Sequence, residues 1–182
     1  MFGAVIPETS SHPAWVAPYL TKLGVDASEP LGAPTLDTLR RLHRAHVERI
    51  AFENIDIQRG RPQGIGPEES IARILAGRGG YCFNLNNAFA SLLTALGYAV
   101  TLHRGQINGS LERAKATPDE YGTHLALTVV IDGERWSIEV RHCWCGSSVL
   151  RLSLFCSFLG KRAGRVGEAL AGVVAAGAGA QV

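Results

Sequence analysis

No segment of this 182-residue chain approaches the ~20 consecutive apolar residues that a membrane-spanning helix needs. The Ala/Gly stretch from Ala169 to Ala180 is too short and too small-sided to serve. The N-terminus, Met1 to Trp15, lacks a basic region followed by an apolar run, so it does not read as a signal peptide. A cytoplasmic protein with reduced thiols is expected. Charge of one sign is lacking as well: 18 basic and 16 acidic residues leave a net of +2, which argues against nucleic acid or a membrane surface as partner. Internal repeats are absent. With 46% hydrophobic and 19% charged residues the composition is globular, and the length suits one domain, or one and a small part of another.

The balance of charge is not even along the chain. Residues 1–140 carry 13 basic and 15 acidic side chains, whereas residues 141–182 carry 5 basic and 1 acidic. The cysteines divide at the same place: Cys82 stands alone, and Cys143, Cys145 and Cys156 crowd into the tail.

The first part reads as helices. Pro13 can open a short one that ends before Gly24, and Thr35 can cap a second with Leu36, Leu39 and Leu42 along one face. Pro67 can open a third, with Glu68 and Glu69 at its positive end and Gly77 as its stop. A fourth is expected from about Cys82 to Leu96, with Leu85, Phe89, Leu92 and Leu96 as its buried stripe and Gly97 as its terminal cap. After Gly97 the period changes to two. Tyr98 to Ile107 reads as a strand, and His124 to Val140 as a hairpin about Asp132-Gly133, with a polar loop at 108–122. Beyond Val140 no strand alternation is visible.

Arg78-Gly79-Gly80-Tyr81-Cys82 delivers a thiol to the first turn of a buried helix. A lone cysteine is by default an inert packing residue. A helix N-terminus, however, carries partial positive charge and unpaired N–H groups, and both favour a thiolate nucleophile. The hairpin adds the groups such a nucleophile needs. With Asp132 and Gly133 as the loop, Ile131 pairs with Glu134, and Leu125/Val140, Leu127/Ile138 and Val129/Trp136 fill one apolar face. On the other face His124 and Glu139 are diagonal neighbours, about 7 Å apart between backbones. A carboxylate on the far nitrogen of a histidine fixes its tautomer and stabilises the imidazolium. Cys82, His124 and Glu139 are thus the candidate catalytic residues, and backbone N–H groups near Cys82 the candidate oxyanion donors.

The segment Arg78-Gly79-Gly80-Tyr81-Cys82-Phe83-Asn84-Leu85-Asn86 closely resembles the active-site segment of arylamine N-acetyltransferases. Pro34-Thr35-Leu36 with Leu39 and His46, and Ile50-Ala51-Phe52-Glu53-Asn54-Ile55-Asp56, resemble that family's helical signature. Gly122-Thr123-His124-Leu125-Ala126-Leu127 and Asp132-Gly133-Glu134-Arg135-Trp136 resemble its histidine strand and hairpin. The resemblance covers roughly residues 15–140, in order. It implies an α+β fold, with an N-terminal helical bundle (residues 1–97) followed by a partial antiparallel β-barrel (residues 98–140) in a papain-like cysteine-enzyme arrangement. It also implies a ping-pong acetyltransferase with acetyl-coenzyme A as donor and an arylamine, arylhydroxylamine or hydrazine as acceptor. Glu53 and Arg78 are implied as an ion pair beside the nucleophile.

The chain departs from the family after the hairpin. Where the family has aspartate and a Gly-aromatic-Gly segment, this chain has Glu139-Val140-Arg141-His142-Cys143. Residues 141–182 do not resemble the further strands and lid domain with which the family continues, and read as an atypical, frameshifted or truncated tail, so that the lid is expected to be absent. A barrel stopping there is expected to leave Leu125, Leu127, Val129, Trp136 and Ile138 uncovered. No metal site is expected: His142, Cys143, Cys145 and Cys156 have soft ligands, but Cys-x-Cys spacing is unusual for structural zinc. His43 and His46 share a helix face without an acidic partner, and read as surface or packing residues. Rival functions are amide synthesis in polyketide assembly by the same triad, a cysteine hydrolase, and a catalytically impaired remnant that only binds.

Overall fold

The structure is a computed structural model that describes residues 12–26, 31–105, 124–138, 140 and 149–151. Helices come first. They are α1 (Val16–Lys22), α2 (Leu36–Arg49), α3 (Ile55–Gln58), α4 (Pro67–Leu75) and α5 (Cys82–Ala95). The strands β1 (Ala99–Gly105), β2 (His124–Ile131), β3 (Glu134–Ile138) and β4 (Val149–Arg151) follow and pair antiparallel in the order β1-β2-β3-β4. The architecture is α+β, with an open sheet packed on helices.

Local chemistry explains the boundaries. Thr35 caps α2 by accepting a 3.2 Å hydrogen bond from the Thr38 N–H. Pro67 opens α4, and Glu69 reaches back 2.8 Å to accept from the Gly66 N–H. At the hairpin, Asp132 (φ 52°) and Gly133 (φ 75°) both adopt left-handed backbone, as a two-residue turn matching strand twist requires. That turn fixes the register at Ile131↔Glu134, Val129↔Trp136 and Leu127↔Ile138, as expected from the sequence. The helix α3 had no counterpart in the sequence reading; at four residues it is too short to show a period.

One expectation is corrected. The apolar face of the hairpin is not uncovered, because α5 packs on β1 and β2, and Leu127, Val129 and Ile138 are each 0% exposed. Trp136 is partly buried and takes the Arg40 guanidinium 5.6 Å from its ring centroid. Past Val140 a short strand is described: β4 pairs with β3 at Ile138↔Val149. The Cys143, Cys145, Cys156 and His142 cluster lies outside the described residues. Among the described residues, no helix is long and apolar enough to cross a membrane.

The core where the helices meet contains His43 and His46, both buried rather than at the surface. Each packs against Phe89, and His46 Nε2 is 2.8 Å from the Tyr19 hydroxyl in a hydrogen bond. Burial, then the neighbouring His43, pushes the His46 imidazole down to about 3. Its folded value lies below its ordinary value of 6.5, so the folded state resists a proton that the unfolded chain accepts. The stability this histidine contributes is therefore complete above pH 6.5 and is lost as pH falls toward 3. Between pH 6.5 and 5 the loss should be about 1.6 kcal/mol, the slope steepening toward about 1.4 kcal/mol per pH unit as the unfolded histidine becomes fully protonated. Urea midpoints should fall over that window in the native chain and fall less in His46→Gln; parallel slopes would overturn the assignment.

Candidate active site

Cys82 is the first residue of α5 and is 6% exposed. Tyr81 precedes it in extended backbone (φ −96°, ψ −174°) and makes no side-chain capping bond to the first turn. The chain reaches this point through an unusually close backbone crossing. The Gly80 N–H donates to the Ala51 carbonyl at 3.1 Å, and the Glu53 N–H donates to the Gly80 carbonyl at 2.9 Å, forming a parallel bridge between Phe52 and Gly80. A Cβ on Gly79 would lie 2.0 Å from the Ala51 oxygen, and one on Gly80 would lie 2.6 Å from Asn84 Cβ. The double glycine thus serves close approach.

Four charges brace this crossing. Glu53 accepts from Arg73 Nη2 at 2.5 Å, and Asp56 accepts from Arg73 Nη1 at 2.8 Å. Arg73 Nε also donates to the Gly79 carbonyl. The pairing expected from the sequence, Glu53 with Arg78, is the longer contact at 3.5 Å, and Arg78 lies closer to Asp56 at 3.1 Å. The Arg78 side chain is 49% exposed against 11% for Arg73. Arg73, which the sequence reading missed, is the central cation. It lies in α4 with no motif to mark it, and only the fold brings it beside Gly79. Burial alone would raise the Glu53 carboxyl, but the Ile55 N–H and the Arg73 guanidinium outweigh it and hold it below the usual range. At Asp56 the hydrogen bond from Arg73 leads, and the carboxyl is likewise lowered.

His124 opens β2, opposite Gly105 of β1, and is 7% exposed. The strand is bound to α5 by Asn86, whose Nδ2 donates to the Leu125 carbonyl at 2.5 Å. Its Oδ1 accepts from the Val140 N–H at 3.3 Å. Cys82 and His124 are thus both buried, at the starts of two elements that this amide joins. Glu139 lies outside the described residues. Two further helix asparagines hold the other flank: Asn84 Nδ2 donates to the Gly64 carbonyl at 3.0 Å and Asn87 Nδ2 to the Ile65 carbonyl at 2.7 Å. Chemically this is a thiol at an N-terminus of backbone donors, with an imidazole on a strand fixed to the same helix.

A family profile described as N-acetyltransferase matches residues 35–150. An arylamine N-acetyltransferase / N-hydroxyarylamine O-acetyltransferase of Salmonella typhimurium is 36% identical over 125 residues, covering 67% of this chain and 41% of that protein. Proansamycin X synthase of Amycolatopsis mediterranei is 29% identical over 129 residues, covering 69% and 47%. The chain therefore spans less than half the length of these relatives. Among solved structures, the Salmonella typhimurium enzyme aligns with a TM-score of 0.64 at 32% identity, covering 78% of this chain and 50% of that one. A Mycobacterium marinum arylamine N-acetyltransferase in complex with CoA aligns at 0.56 and 32% identity, covering 69% and 45%. A Bacillus cereus protein described as having a Cys-His-Glu catalytic triad shares the fold at 0.58 and 21% identity, covering 70% and 49%.

If Arg73 is the central cation, Arg73→Met should lower the melting temperature by roughly 4–8 °C, because two carboxylates lose their main partner. Arg78→Met, at a half-exposed position, should cost less than half of that. Equal melting temperatures for the two variants would show that the crossing does not depend on Arg73.

Proposed function

Because the chain belongs to the arylamine N-acetyltransferase family, we propose that Cys82 accepts acetyl from acetyl-coenzyme A as a thioester and passes it to an arylamine, arylhydroxylamine or hydrazine. The observation that carries this reading is the burial of Cys82 at the first turn of α5 while the strand begun by His124 is tied to that helix. His124 takes the thiol proton, and Sγ attacks the acetyl carbonyl carbon. N–H groups at the start of α5 receive the oxyanion. The bond to the coenzyme sulfur breaks, and the coenzyme leaves as a thiol with the proton held by His124. The amine nitrogen then attacks the thioester, gives a proton to His124, and Cys82 leaves as thiolate.

Glu139 is the proposed carboxylate that orients His124. The Bacillus cereus protein described with a Cys-His-Glu triad supports glutamate as workable on this fold. Glu53 and Arg78 are proposed to support the site through the glycine crossing, together with Arg73. Residues 1–97 are the proposed helical unit carrying the nucleophile, and residues 98–140 begin the barrel. The profile match to residue 150 and the pairing of β4 support a family-like part that reaches somewhat past residue 140. A cytoplasmic setting, which keeps thiols reduced, suits such a nucleophile. Similarity to proansamycin X synthase supports amide synthesis from a carrier-bound acyl chain as a second reading, distinguished by inertness toward acetyl-coenzyme A.

The test is incubation with acetyl-coenzyme A followed by peptide mass spectrometry. One acetyl group on Cys82 is expected, removed in Cys82→Ser; label on Cys143, Cys145 or Cys156 with none on Cys82 overturns the assignment. The carboxylate is tested separately. Glu139→Gln should slow acylation at least ~100-fold by mis-setting the imidazole. Glu139→Asp, one methylene shorter, should recover part of that loss; a full rate in Glu139→Gln removes Glu139 from the triad.

A further inference from the structure

We propose that Asn86 is a positioning residue that holds His124 in register with Cys82. The inference rests on the reading of Cys82 and His124 given above. Asn86 is 0% exposed and lies one helical turn after Cys82, on the same face of α5. A buried amide is costly unless both of its ends are satisfied. Here both are, and both by backbone groups: the Leu125 carbonyl of β2 at 2.5 Å and the Val140 N–H, two residues past β3, at 3.3 Å. The amide has one workable orientation, because reversing it would set oxygen against the Leu125 carbonyl and N–H against the Val140 N–H.

The two anchor points are what single Asn86 out. Leu125 is the residue after His124, and Val140 is the residue after Glu139. Consecutive Cα atoms are about 3.8 Å apart, so pegging one residue leaves its neighbour little room to wander. One side chain therefore ties the helix to β2 beside His124 and to the chain just past β3. Asn84 and Asn87 have similar chemistry on the same helix, but they bind the carbonyls of Gly64 and Ile65, before α4. They hold the helix to a loop and leave the sheet to Asn86. Apolar contacts between helix and sheet tolerate a slide of about an ångström; proton transfer between thiol and imidazole does not, and such a displacement can cost about 100-fold in rate.

The experiment follows Cys82 acylation by 4-nitrophenyl acetate, reading the burst of 4-nitrophenolate released as the thioester forms. Asn86→Ala should slow the burst about 100-fold, whereas Asn87→Ala should stay within about twofold of the native chain. Asn86→Ala placed on His124→Ala should add nothing to the loss from His124→Ala, because a residue that acts through another is not additive with it. Multiplying losses, or a native burst in Asn86→Ala beside a slow His124→Ala, overturns the clamp and leaves the nucleophile–base reading standing. A native burst in His124→Ala overturns that reading, and the clamp falls with it. Should Asn86→Ala lose its cooperative melt, Asn86→Gln, with both groups one methylene further out, takes its place in the same comparisons. In the native chain the Val140 amide should exchange with deuterium at least ~100-fold more slowly than exposed amides. Exchange at the exposed rate would by itself remove the clamp.

Discussion

The carbonyl oxygen of Ala51 stands where a side chain on Gly79 would have to be, 2.0 Å from its Cβ position, and the rest of the site follows from that crossing. Two backbone hydrogen bonds lock the segment 51–53 to Gly80, so the chain enters α5 at a position set by main chain rather than by side-chain packing. Cys82 comes two residues later, too soon for the thiol to drift. Arg73 adds a third constraint by donating to the Gly79 carbonyl while it holds Glu53 and Asp56. A larger residue at Gly79 would push apart the backbone that places Cys82, which is why a glycine stands there without any need for left-handed backbone.

From that fixed start, α5 carries position to the sheet by two kinds of contact with different tolerances. Leu85, Phe89 and Leu92 are each no more than 1% exposed and join the core with Leu127, Val129 and Ile138. Their burial supplies most of the association energy but little register, since apolar surfaces of similar volume can slide and repack. The Asn86 amide supplies register and little net energy, because its bonds replace bonds to water. The combination gives one alignment of helix on strand instead of a family of near-equivalent ones.

What could be read from the sequence was whatever local chemistry decides. Thr35, Pro67 and Asp132-Gly133 each fix a boundary through their own backbone preferences, and the hairpin register followed from the turn alone. What could not be read depends on residues meeting across the fold. Arg78 stands next to the glycines in sequence, yet the nearer cation in space is Arg73, because the chain reverses after α4 and brings that helix's last turn against Gly79. Asn86 lay in plain view within the active-site segment, but an asparagine has no period or spacing that announces two backbone partners 39 and 54 residues away. The strand β4 is three residues long, too short to alternate. The cover over the hairpin's apolar face comes from α5, a contact between distant segments that no local pattern marks.

The ion cluster also bears on how the proposed nucleophile is activated. Glu53 and Asp56 offset Arg73 and Arg78 in charge, and all four interact within 3.5 Å. A compact cluster of two opposite pairs has little field beyond its own dimensions, since the contributions cancel and water screens what remains. It therefore acts on Cys82 through geometry, by holding the glycine crossing, more than through potential. In the proposed chemistry the groups left to stabilise a developing thiolate are the first-turn N–H donors of α5 and the imidazole of His124. Both depend on alignment at the ångström scale, the first on where the helix starts and the second on how the strand is pegged to it. Under the proposed chemistry, rate is then governed by two polar devices that contribute little to stability: a backbone crossing that admits only glycine, and one buried amide.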